Sequence, residues 1–334
     1  MQIYEIQKKG DANALVLTER PEPKPGPYQI VVQVRAVSLN YRDLGILGNP
    51  AQATPRIPVS DGAGEVIAVG EGVTRVQIGD RVAGTFFQNW PAGGTFAEIH
   101  DQALGGSIDG MLAEQVLLSE EGVVRIPDHL SYEEAATLPC AAVTVWNSLV
   151  EQGGLRAGET VLLLGTGGVS IFGLQFAKQQ GARVIITSSS DEKLERAKRL
   201  GADETINYKT TPDWEKVVWD LTSRRGADHV VEVGGAGTLE KSLRSVRYGG
   251  TVGLIGVLTG FGTQVNPIFI LQKSIRLQGI YVGSRAMFEN MNRALSQGKL
   301  TPVIDRVFPF SEASAAYEYL RSGAHFGKIV IRVS

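Results

Sequence analysis

Cysteine and surplus positive charge are both scarce in this sequence. Cys140 is the single cysteine among 334 residues, which excludes a disulfide within the chain and a zinc site made of cysteines alone. Lysine and arginine total 33 against 35 aspartate and glutamate residues, a formal net charge of -2. Because binding to a nucleic-acid backbone needs a surplus of positive charge, we expect no nucleic-acid partner.

Membrane spans and targeting segments are also not indicated. The uncharged stretches 160–177 and 248–272 are long enough to be tested as spans, but glycines break both, and Pro267 also breaks the second. The pattern predicts short buried strands joined by turns. The first residues lack the basic-then-apolar order of a signal peptide, and a lone cysteine fits a reducing compartment. We therefore expect a cytoplasmic protein.

Glycine, in contrast, is abundant. Forty of the 334 residues are glycine, against a usual share of about 7%. With 14 prolines and 43% hydrophobic residues, the chain is not of low complexity, so the excess must serve backbone geometry. Single hydrophobic cores stop growing at roughly 250 to 300 residues, which predicts about two domains.

The hydrophobic pattern changes once along the chain. Up to about residue 125, short β-like runs such as 30–34, 65–69 and 80–83 alternate with turns, which predicts a mostly β domain. After Pro127, strands alternate with amphipathic helices, which is typical of a doubly wound parallel sheet of about five or six strands. The tail is predicted to pack back on the first domain. The fold class is therefore α/β.

A glycine-rich turn lies between a buried strand at 160–164 and a helix. It contains Gly165, Thr166, Gly167, Gly168 and Val169. The first glycine permits a tight turn, Gly167 lets a pyrophosphate approach the backbone, and the helix N-terminus supplies free N–H groups. Ser170 replaces the third glycine of the usual fingerprint. We predict a dinucleotide site, with a purely structural turn as the alternative.

The second strand of this series ends without the acidic residue that usually binds the ribose of NAD. It is followed by Ser188 and Ser189, with Lys193 one turn later. These hydroxyls and the ammonium would accept a 2′-phosphate, so the sequence predicts NADP(H) as the preferred cofactor. Asp191 would still allow use of NAD(H). The alternative is that Ser189 and Glu192 form only a helix capping box.

Seven segments together resemble the medium-chain dehydrogenase/reductase superfamily along nearly the whole chain. They are LNYRD (39–43), GAGEV (62–66), VGEGV (69–73), IGDRV (78–82), LPCAAVTVW (138–146), GTGGV (165–169) and GKIV (327–330). The resemblance implies a GroES-like catalytic domain over 1–125, completed by 286–334, and a Rossmann domain over 126–285 that binds the cofactor. It also implies a homodimer formed through the Rossmann domains.

The zinc-containing members of this superfamily hold a catalytic zinc that this sequence does not reproduce. Carried over by motif, their ligand positions are Asn40, Ser60 and Cys140, and their nearby glutamate is Asp61. One thiol with an amide and a hydroxyl is not a zinc site, so no metal is predicted. Cys140 is then expected to be a small residue lining the substrate site.

The segment at 40–43 resembles the zinc-free quinone oxidoreductase and enoyl reductase branches. The resemblance implies Tyr41 as proton donor or oxyanion partner and Asn40 as the residue that orients substrate or nicotinamide, while Arg42 and Asp43 order the loop by pairing. The alternative for Tyr41 is a packed aromatic. Further residues implied by the resemblance or by position are, for the cofactor, Thr144, Tyr208, Gly234, Ser284 and Lys328, and, for an apolar substrate, Phe87 and Trp90; packing or surface roles are the alternatives.

These features predict a zinc-independent NAD(P)H-dependent oxidoreductase that transfers hydride to an activated C=C bond or a quinone. Without a Lewis acid, oxidation of a simple alcohol loses the stabilisation that zinc gives to an alkoxide. Two alternatives remain open. One is an alcohol or carbonyl oxidoreductase that acts without zinc, and the other is a non-enzymatic NADPH-binding protein.

Overall fold

The computed structural model describes residues 1–10, 12–52, 55–260, 262 and 264–334. The chain divides into two compact units, the first made of Met1–Val143 and Gly283–Ser334 and the second of Thr144–Val282. The predicted domain limits, 1–125 with 286–334 and 126–285, stay a prediction. Residues 126–143 lie in the first unit, where Ile126 N–H bonds the Arg81 carbonyl and Arg332 pairs with Glu133.

The regular elements of the described residues follow in chain order. Residues 1–143 form β1 (Gln2–Lys9), β2 (Ala12–Glu19), β3 (Gln29–Leu39), α1 (Tyr41–Gly48), β4 (Asp61–Val69), β5 (Arg81–Gly84), β6 (Gln115–Ser119), β7 (Val123–Arg125) and α2 (Tyr132–Ala135). The next are α3 (Val143–Trp146), β8 (Thr160–Leu163), α4 (Gly168–Gln179), β9 (Arg183–Ser188), α5 (Asp191–Arg199), β10 (Glu204–Asn207), α6 (Trp214–Leu221), β11 (Ala227–Glu232), α7 (Leu239–Ser245), β12 (Val246–Leu254), α8 (Ile268–Lys273) and β13 (Arg276–Gly279). The last are α9 (Arg285–Gly298), β14 (Ile304–Pro309), α10 (Ala313–Ser322) and β15 (Lys328–Arg332).

The first unit is built on a seven-stranded sheet. Its strand order is β14-β15-β3-β4-β5-β7, with β6 also paired to β3, and a separate antiparallel pair forms from β1 and β2. β15 lies antiparallel to β3, and the Ser38 hydroxyl donates to the Ile329 carbonyl at 2.8 Å. The prediction that the tail packs back on the first domain is therefore confirmed.

The second unit is a six-stranded parallel sheet in the order β10-β9-β8-β11-β12-β13. Numbered within the unit, this is 3-2-1-4-5-6, the order of the Rossmann fold. The predicted α/β class and the doubly wound sheet are confirmed. Ligands bind such sheets where the strand order reverses, outside the carboxyl ends of the strands, which here is the crevice between β8 and β11.

Two helix boundaries of the second unit show how local the sequence signals are. The predicted Ser189–Glu192 capping box is wrong by one residue, because Ser190 is the N-cap of α5 and its hydroxyl accepts from Lys193 N–H at 3.4 Å. Gly201 follows the end of this helix with φ +104°, a conformation that favours glycine.

Within the described part of the chain, no helix combines the length and the apolar character needed to cross a membrane.

Candidate functional site

The glycine turn of the second unit is shaped to receive a pyrophosphate. Gly165 follows the buried strand β8 with φ +73°, and a Cβ added at Gly165 or Gly167 would meet nothing within 4 Å. Gly167 is the N-cap of α4 and offers no side chain to its first N–H groups, which stay available to an anion. Ser170 is buried and its hydroxyl donates to the Leu164 carbonyl at 2.6 Å. The serine thus keeps helix and strand close where the fingerprint has glycine.

The residues predicted for the adenosine side lie at the same edge of this sheet. Gly165 N–H donates to the Thr187 hydroxyl at 3.3 Å, which joins the glycine turn to the end of β9. Ser188 pairs with Asn207 of β10, and Tyr208 N–H donates to the Ser188 carbonyl at 3.0 Å. The Tyr208 side chain is exposed. The structure therefore brings Ser188 and Tyr208 together beside the turn.

A carboxylate also lies on this adenosine side. Asp191 is the first residue of α5, in the helical turn that carries Lys193 and directly after Ser189 and Ser190. Its Oδ1 accepts a hydrogen bond from the Asn207 side-chain amide at 2.7 Å. The carboxylate is thus held in a defined place, where its charge would oppose a 2′-phosphate and would suit a ribose hydroxyl.

Glu232, at the end of β11, is a candidate residue that the sequence reasoning missed. It is fully buried, and its Oε1 accepts from the N–H groups of Gly234 at 2.7 Å and Gly235 at 2.9 Å and from the Thr238 hydroxyl at 2.6 Å. The Ser242 hydroxyl donates to its other oxygen. Glu232 thus shapes the turn that contains the predicted cofactor residue Gly234, beside the β8 turn. The signal available in the sequence was an acidic residue at the end of a strand, shortly before two glycines.

The remaining predicted cofactor residues have mixed positions. Thr144 is buried in the second unit. Ser284 is buried in the first unit, where it caps α9 by accepting from Met287 N–H at 3.3 Å. Lys328 is buried in the first unit, within the polar cluster described next. Cofactor contact by these three residues stays a prediction.

Lys328 and Asn40 form the centre of a buried polar cluster in the first unit. The Lys328 ammonium donates to the Leu39 carbonyl at 2.7 Å and to Asn40 Oδ1 at 2.6 Å. The sheet creates this contact, because Lys328 begins β15 and Leu39 ends β3, and Ile329 pairs with Leu39. Asn40 is the N-cap of α1, the helix that begins at Tyr41.

Asp61 is the fully buried acid of the same cluster. Its oxygens accept from the Ser60 hydroxyl at 2.7 Å and from Cys140 N–H at 3.1 Å. Burial raises the pKa of Asp61, although the Lys328 charge and the Asn40 amide oppose the rise. Burial, and then the negative charge of Asp61, raise the pKa of the Cys140 thiol to about 12. A thiol of this kind is a poor nucleophile.

Asp43 is a second buried acid, and it fixes the start of α1. Its Oδ2 accepts from Asn40 N–H at 2.8 Å, and its Oδ1 lies 3.6 Å from a guanidinium nitrogen of Arg42. Burial raises its pKa to about 6 against the opposing charge of Arg42. The predicted pairing of Arg42 with Asp43 is therefore present, and Arg42 also packs over the Phe86 ring at 4.6 Å.

The aromatic candidates differ sharply in exposure. The Tyr41 residue is 56% exposed, so it is not buried in the core, and its role as proton donor stays a prediction. Phe87 and Trp90 are both buried, and their ring centroids lie 6.1 Å apart. Phe86 packs edge-on against Phe87 at 4.7 Å. The structure shows packing for Phe87 and Trp90, and substrate contact by either residue stays a prediction.

The residues at the zinc-ligand positions do not fit a zinc ion. Asn40 Oδ1 is bonded to an ammonium and the Ser60 hydroxyl donates to Asp61, which leaves Cys140 as the one residue of a usual zinc-ligand type among the three positions. Among the described residues, no cluster of three or more histidine, cysteine, aspartate or glutamate side chains could hold a metal. The buried polar cluster of the first unit already contains a cation, the Lys328 ammonium.

Comparison with protein families supports the division seen in the structure. Residues 26–128 match the alcohol dehydrogenase GroES-like domain, and residues 168–297 match the zinc-binding dehydrogenase family. The second match does not include Asn40, Ser60, Asp61 or Cys140. The zinc in that family's description therefore gives no information on those four positions.

Individual relatives carry several related names. The zinc-type alcohol dehydrogenase-like protein C1773.06c of Schizosaccharomyces pombe is 44% identical over 93% of this chain and 92% of its own length. A quinone oxidoreductase of Pseudomonas aeruginosa is 31% identical over 96% of both chains. An acryloyl-coenzyme A reductase of Metallosphaera sedula is 29% identical over 97% of this chain and 98% of its own.

Solved structures agree with these relatives. A Sinorhizobium meliloti 1021 protein, provisionally named an alcohol dehydrogenase, is 45% identical with a TM-score of 0.94, over 99% of this chain and 98% of its own. An NAD-dependent alcohol dehydrogenase is 33% identical with a TM-score of 0.90 over the full length of both chains. With the Rossmann strand order and the two family matches, these likenesses show that the chain is an oxidoreductase of the medium-chain dehydrogenase/reductase superfamily.

Proposed function

We propose that this protein is a zinc-independent, NADP(H)-preferring reductase of activated C=C bonds or quinones. The observation that carries the proposal is the Lys328–Asn40 hydrogen bond at the position where zinc relatives hold their metal. An amide bonded to a buried ammonium is not a metal ligand, whereas the glycine turn of the cofactor unit is open. The names of the quinone oxidoreductase and acryloyl-coenzyme A reductase relatives agree with this reaction class.

The chemistry divides between the cofactor and Tyr41. A bound nicotinamide dinucleotide would supply the hydride, and the chain's open glycine turn and uncapped α4 N-terminus would hold its pyrophosphate. When a carbon of the substrate accepts hydride, the electron pair of the C=C bond moves towards the carbonyl oxygen. The exposed Tyr41 phenol would hydrogen-bond to this oxygen, donate its proton and recover one from water.

Replacement of Tyr41 tests this assignment. Tyr41→Phe removes only the hydroxyl of an exposed side chain, so folding should be unaffected. We expect kcat with enones and quinones to fall about 10²-fold or more, in the usual range for a general acid, while NADPH binding persists. Tyr28→Phe, at another exposed tyrosine of the first unit, serves as a control for the loss of an exposed phenol hydroxyl. Unchanged turnover in Tyr41→Phe would remove Tyr41 from the mechanism.

The preference for NADP(H) over NAD(H) rests on the side chains after β9. Ser188, Ser189 and Lys193 favour a 2′-phosphate, whereas the Asp191 carboxylate, held by Asn207, opposes it and would permit use of NAD(H). The ratio of kcat/KM for NADPH and NADH measures the balance. Asp191→Asn should raise this ratio, because the amide keeps the hydrogen-bonding shape without the charge. A ratio that favours NADH in the native protein would contradict the proposed preference.

A second candidate function is an alcohol or carbonyl oxidoreductase that acts without zinc. The names of the Schizosaccharomyces pombe relative and of the NAD-dependent structure favour it. A panel of quinones, enones, enoyl thioesters, aldehydes and primary alcohols separates the two candidates. Turnover confined to alcohols and aldehydes would replace the leading proposal, and NADPH binding without any turnover would indicate a non-enzymatic role.

We also propose a homodimer formed through the cofactor unit in a cytoplasmic protein. β13 is the last strand at one end of the parallel sheet. Leu271 of α8, shortly before β13, is 75% exposed, and Tyr248 of the neighbouring strand β12 is 66% exposed, as expected of a surface that another chain covers. Light scattering after size exclusion measures the mass, and Leu271→Asp should shift a dimer towards monomer. The cytoplasmic location is supported by the single cysteine, since a chain that can form no internal disulfide fits a reducing compartment.

A further inference from the structure

We infer that Lys328 is a positioning residue, whose buried ammonium holds the Asn40 amide and thereby fixes the start of the helix that presents Tyr41. The inference rests on the proposed role of Tyr41. It gives Lys328 a task within the first unit, distinct from the cofactor contact that the resemblance implies.

The Lys328 ammonium is a buried charge. Lys328 is 3% exposed, and an ammonium in such a place costs several kcal/mol unless it is hydrogen-bonded and balanced by negative charge. Its acceptors are the Leu39 carbonyl and Asn40 Oδ1, and its charge lowers the pKa of Asp61 and, more weakly, that of Asp43. The cluster thus contains two acids, which are faced by the charges of Lys328 and Arg42.

The Lys328 ammonium also sets the orientation of the Asn40 amide. An ammonium can only donate hydrogen bonds, so it must face the oxygen of the Asn40 amide. The NH₂ group of the amide is therefore directed away from the Lys328 ammonium. The Asn40 amide also interacts with Asp61, whose pKa it lowers, so the ammonium and this carboxylate both act on the amide. Without Lys328, the amide oxygen would lose its charged partner.

Asn40 directly precedes Tyr41, the proposed proton donor. Asn40 is the N-cap of α1, Tyr41 is the first helical residue, and Asn40 N–H bonds to Asp43 Oδ2 at 2.8 Å. Lys328 also binds the Leu39 carbonyl. The ammonium therefore hydrogen-bonds to the backbone of Leu39 and to the side chain of Asn40, the two residues directly before Tyr41. A shift of even 1 Å in a reacting group can lower a rate by about 10²-fold.

The test uses Lys328→Met, which keeps the apolar stem and removes the charge. The expected result is that kcat with a fixed quinone falls about 10- to 100-fold while the NADPH dissociation constant is unchanged, because part of a general-acid effect of about 10²–10⁴-fold is lost. The double variant Lys328→Met, Asp61→Asn removes both charges. It should regain thermal stability without regaining kcat.

Lys273→Met is the matched control. Lys273 is also buried, in the second unit, and its ammonium donates to three backbone carbonyls near the end of α7. Its replacement should lower stability and leave kcat of the folded protein unchanged. Recovery of kcat together with stability in the Lys328/Asp61 double variant would show that Lys328 is merely structural. Weaker NADPH binding with unchanged kcat would show that it contacts the cofactor, and either result overturns the inference.

A readout independent of turnover comes from Cys140, the only cysteine. Its thiol lies among the same charges: Asp61 raises its pKa, and Lys328 lowers it. Alkylation should therefore be slower in Lys328→Met and faster in Asp61→Asn than in the native protein. If the native protein reduced none of the panel substrates, the proposed function would fail, but these rates would still decide whether Lys328 organises the cluster. Equal rates in native protein and Lys328→Met would refute the inference.

Discussion

Replacement of Asp43 by asparagine should change how the stability of the protein depends on pH. Asp43 is 1% exposed, and burial raises its pKa from the usual 3.8 to about 6, although Arg42 opposes the rise. The unfolded chain therefore releases the Asp43 proton at lower pH than the folded protein. The protonated Asp43 carboxyl therefore stabilises the folded protein in acidic solution, and this stabilisation is lost as pH rises through about 6.

The size of the effect follows from the shift. A difference of about two pKa units at about 1.4 kcal/mol each gives about 3 kcal/mol between roughly pH 4 and pH 6. The asparagine side chain of the variant cannot titrate, but its oxygen can still accept the Asn40 N–H bond. The free energy of unfolding of Asp43→Asn, relative to the native protein, should therefore rise with pH. Somewhat less than half of the total change should fall between pH 5 and pH 7.

Urea unfolding at several pH values between 4 and 7 measures this difference, and Asp228→Asn provides the control. Burial opposes the ionisation of Asp228, but the Thr160 N–H and the Arg247 guanidinium outweigh it and lower its pKa. Asp228→Asn should thus destabilise the protein by a constant amount between pH 5 and pH 7, and by less only in more acidic solution. If the Asp43→Asn difference were equally constant over that range, the raised pKa of Asp43 would be refuted.

Three further predictions concern other parts of the molecule. Glu232→Gln removes the negative charge that strengthens the hydrogen bonds from Gly234, Gly235 and Thr238, and it places an NH₂ where an oxygen accepted one of the bonds. The free energy of unfolding should fall by about 2–3 kcal/mol, more than in Ser242→Ala, which removes a single bond; equal losses on chemical denaturation would contradict this. Gly64→Ala should lower the free energy of unfolding by about 1–3 kcal/mol, because a Cβ at this position would lie 2.1 Å from the Gln33 carbonyl oxygen. An unchanged melting temperature would contradict this. Treatment with EDTA should leave turnover unchanged, and a loss that only zinc restores would contradict zinc independence.

The cofactor unit was largely predictable because its signals are local. The buried strand, Gly165, Gly167 and the following helix are adjacent in sequence, and the physical demand on each comes from its neighbours. Six parallel strands in Rossmann order follow from the same strand–helix alternation. The Ser189 capping box was wrong by one residue because Ser189 and Ser190 have equal cap propensity, and only the helix start chooses between them.

The polar cluster of the first unit could not be predicted in the same way. Lys328 and Asn40 are 288 residues apart in sequence, and only the pairing of β15 with β3 brings them into contact. A lysine at the start of an apolar strand is usually exposed to solvent, so a single sequence does not indicate that Lys328 is buried. The motif resemblance singled out both residues, but it did not indicate that they bind each other.

The contact between Lys328 and Asn40 also limits the chemistry that the proposed function can use. An ammonium held by the Leu39 carbonyl and the Asn40 amide oxygen can balance charge and orient an amide, but it has no empty orbital to accept an electron pair from an alkoxide. Any stabilisation of a developing oxyanion must then come from a hydrogen-bond donor. Tyr41 is the exposed phenol at the start of the helix that this contact fixes. Hydride transfer to an activated acceptor, completed by a proton from Tyr41, needs no more than these groups supply.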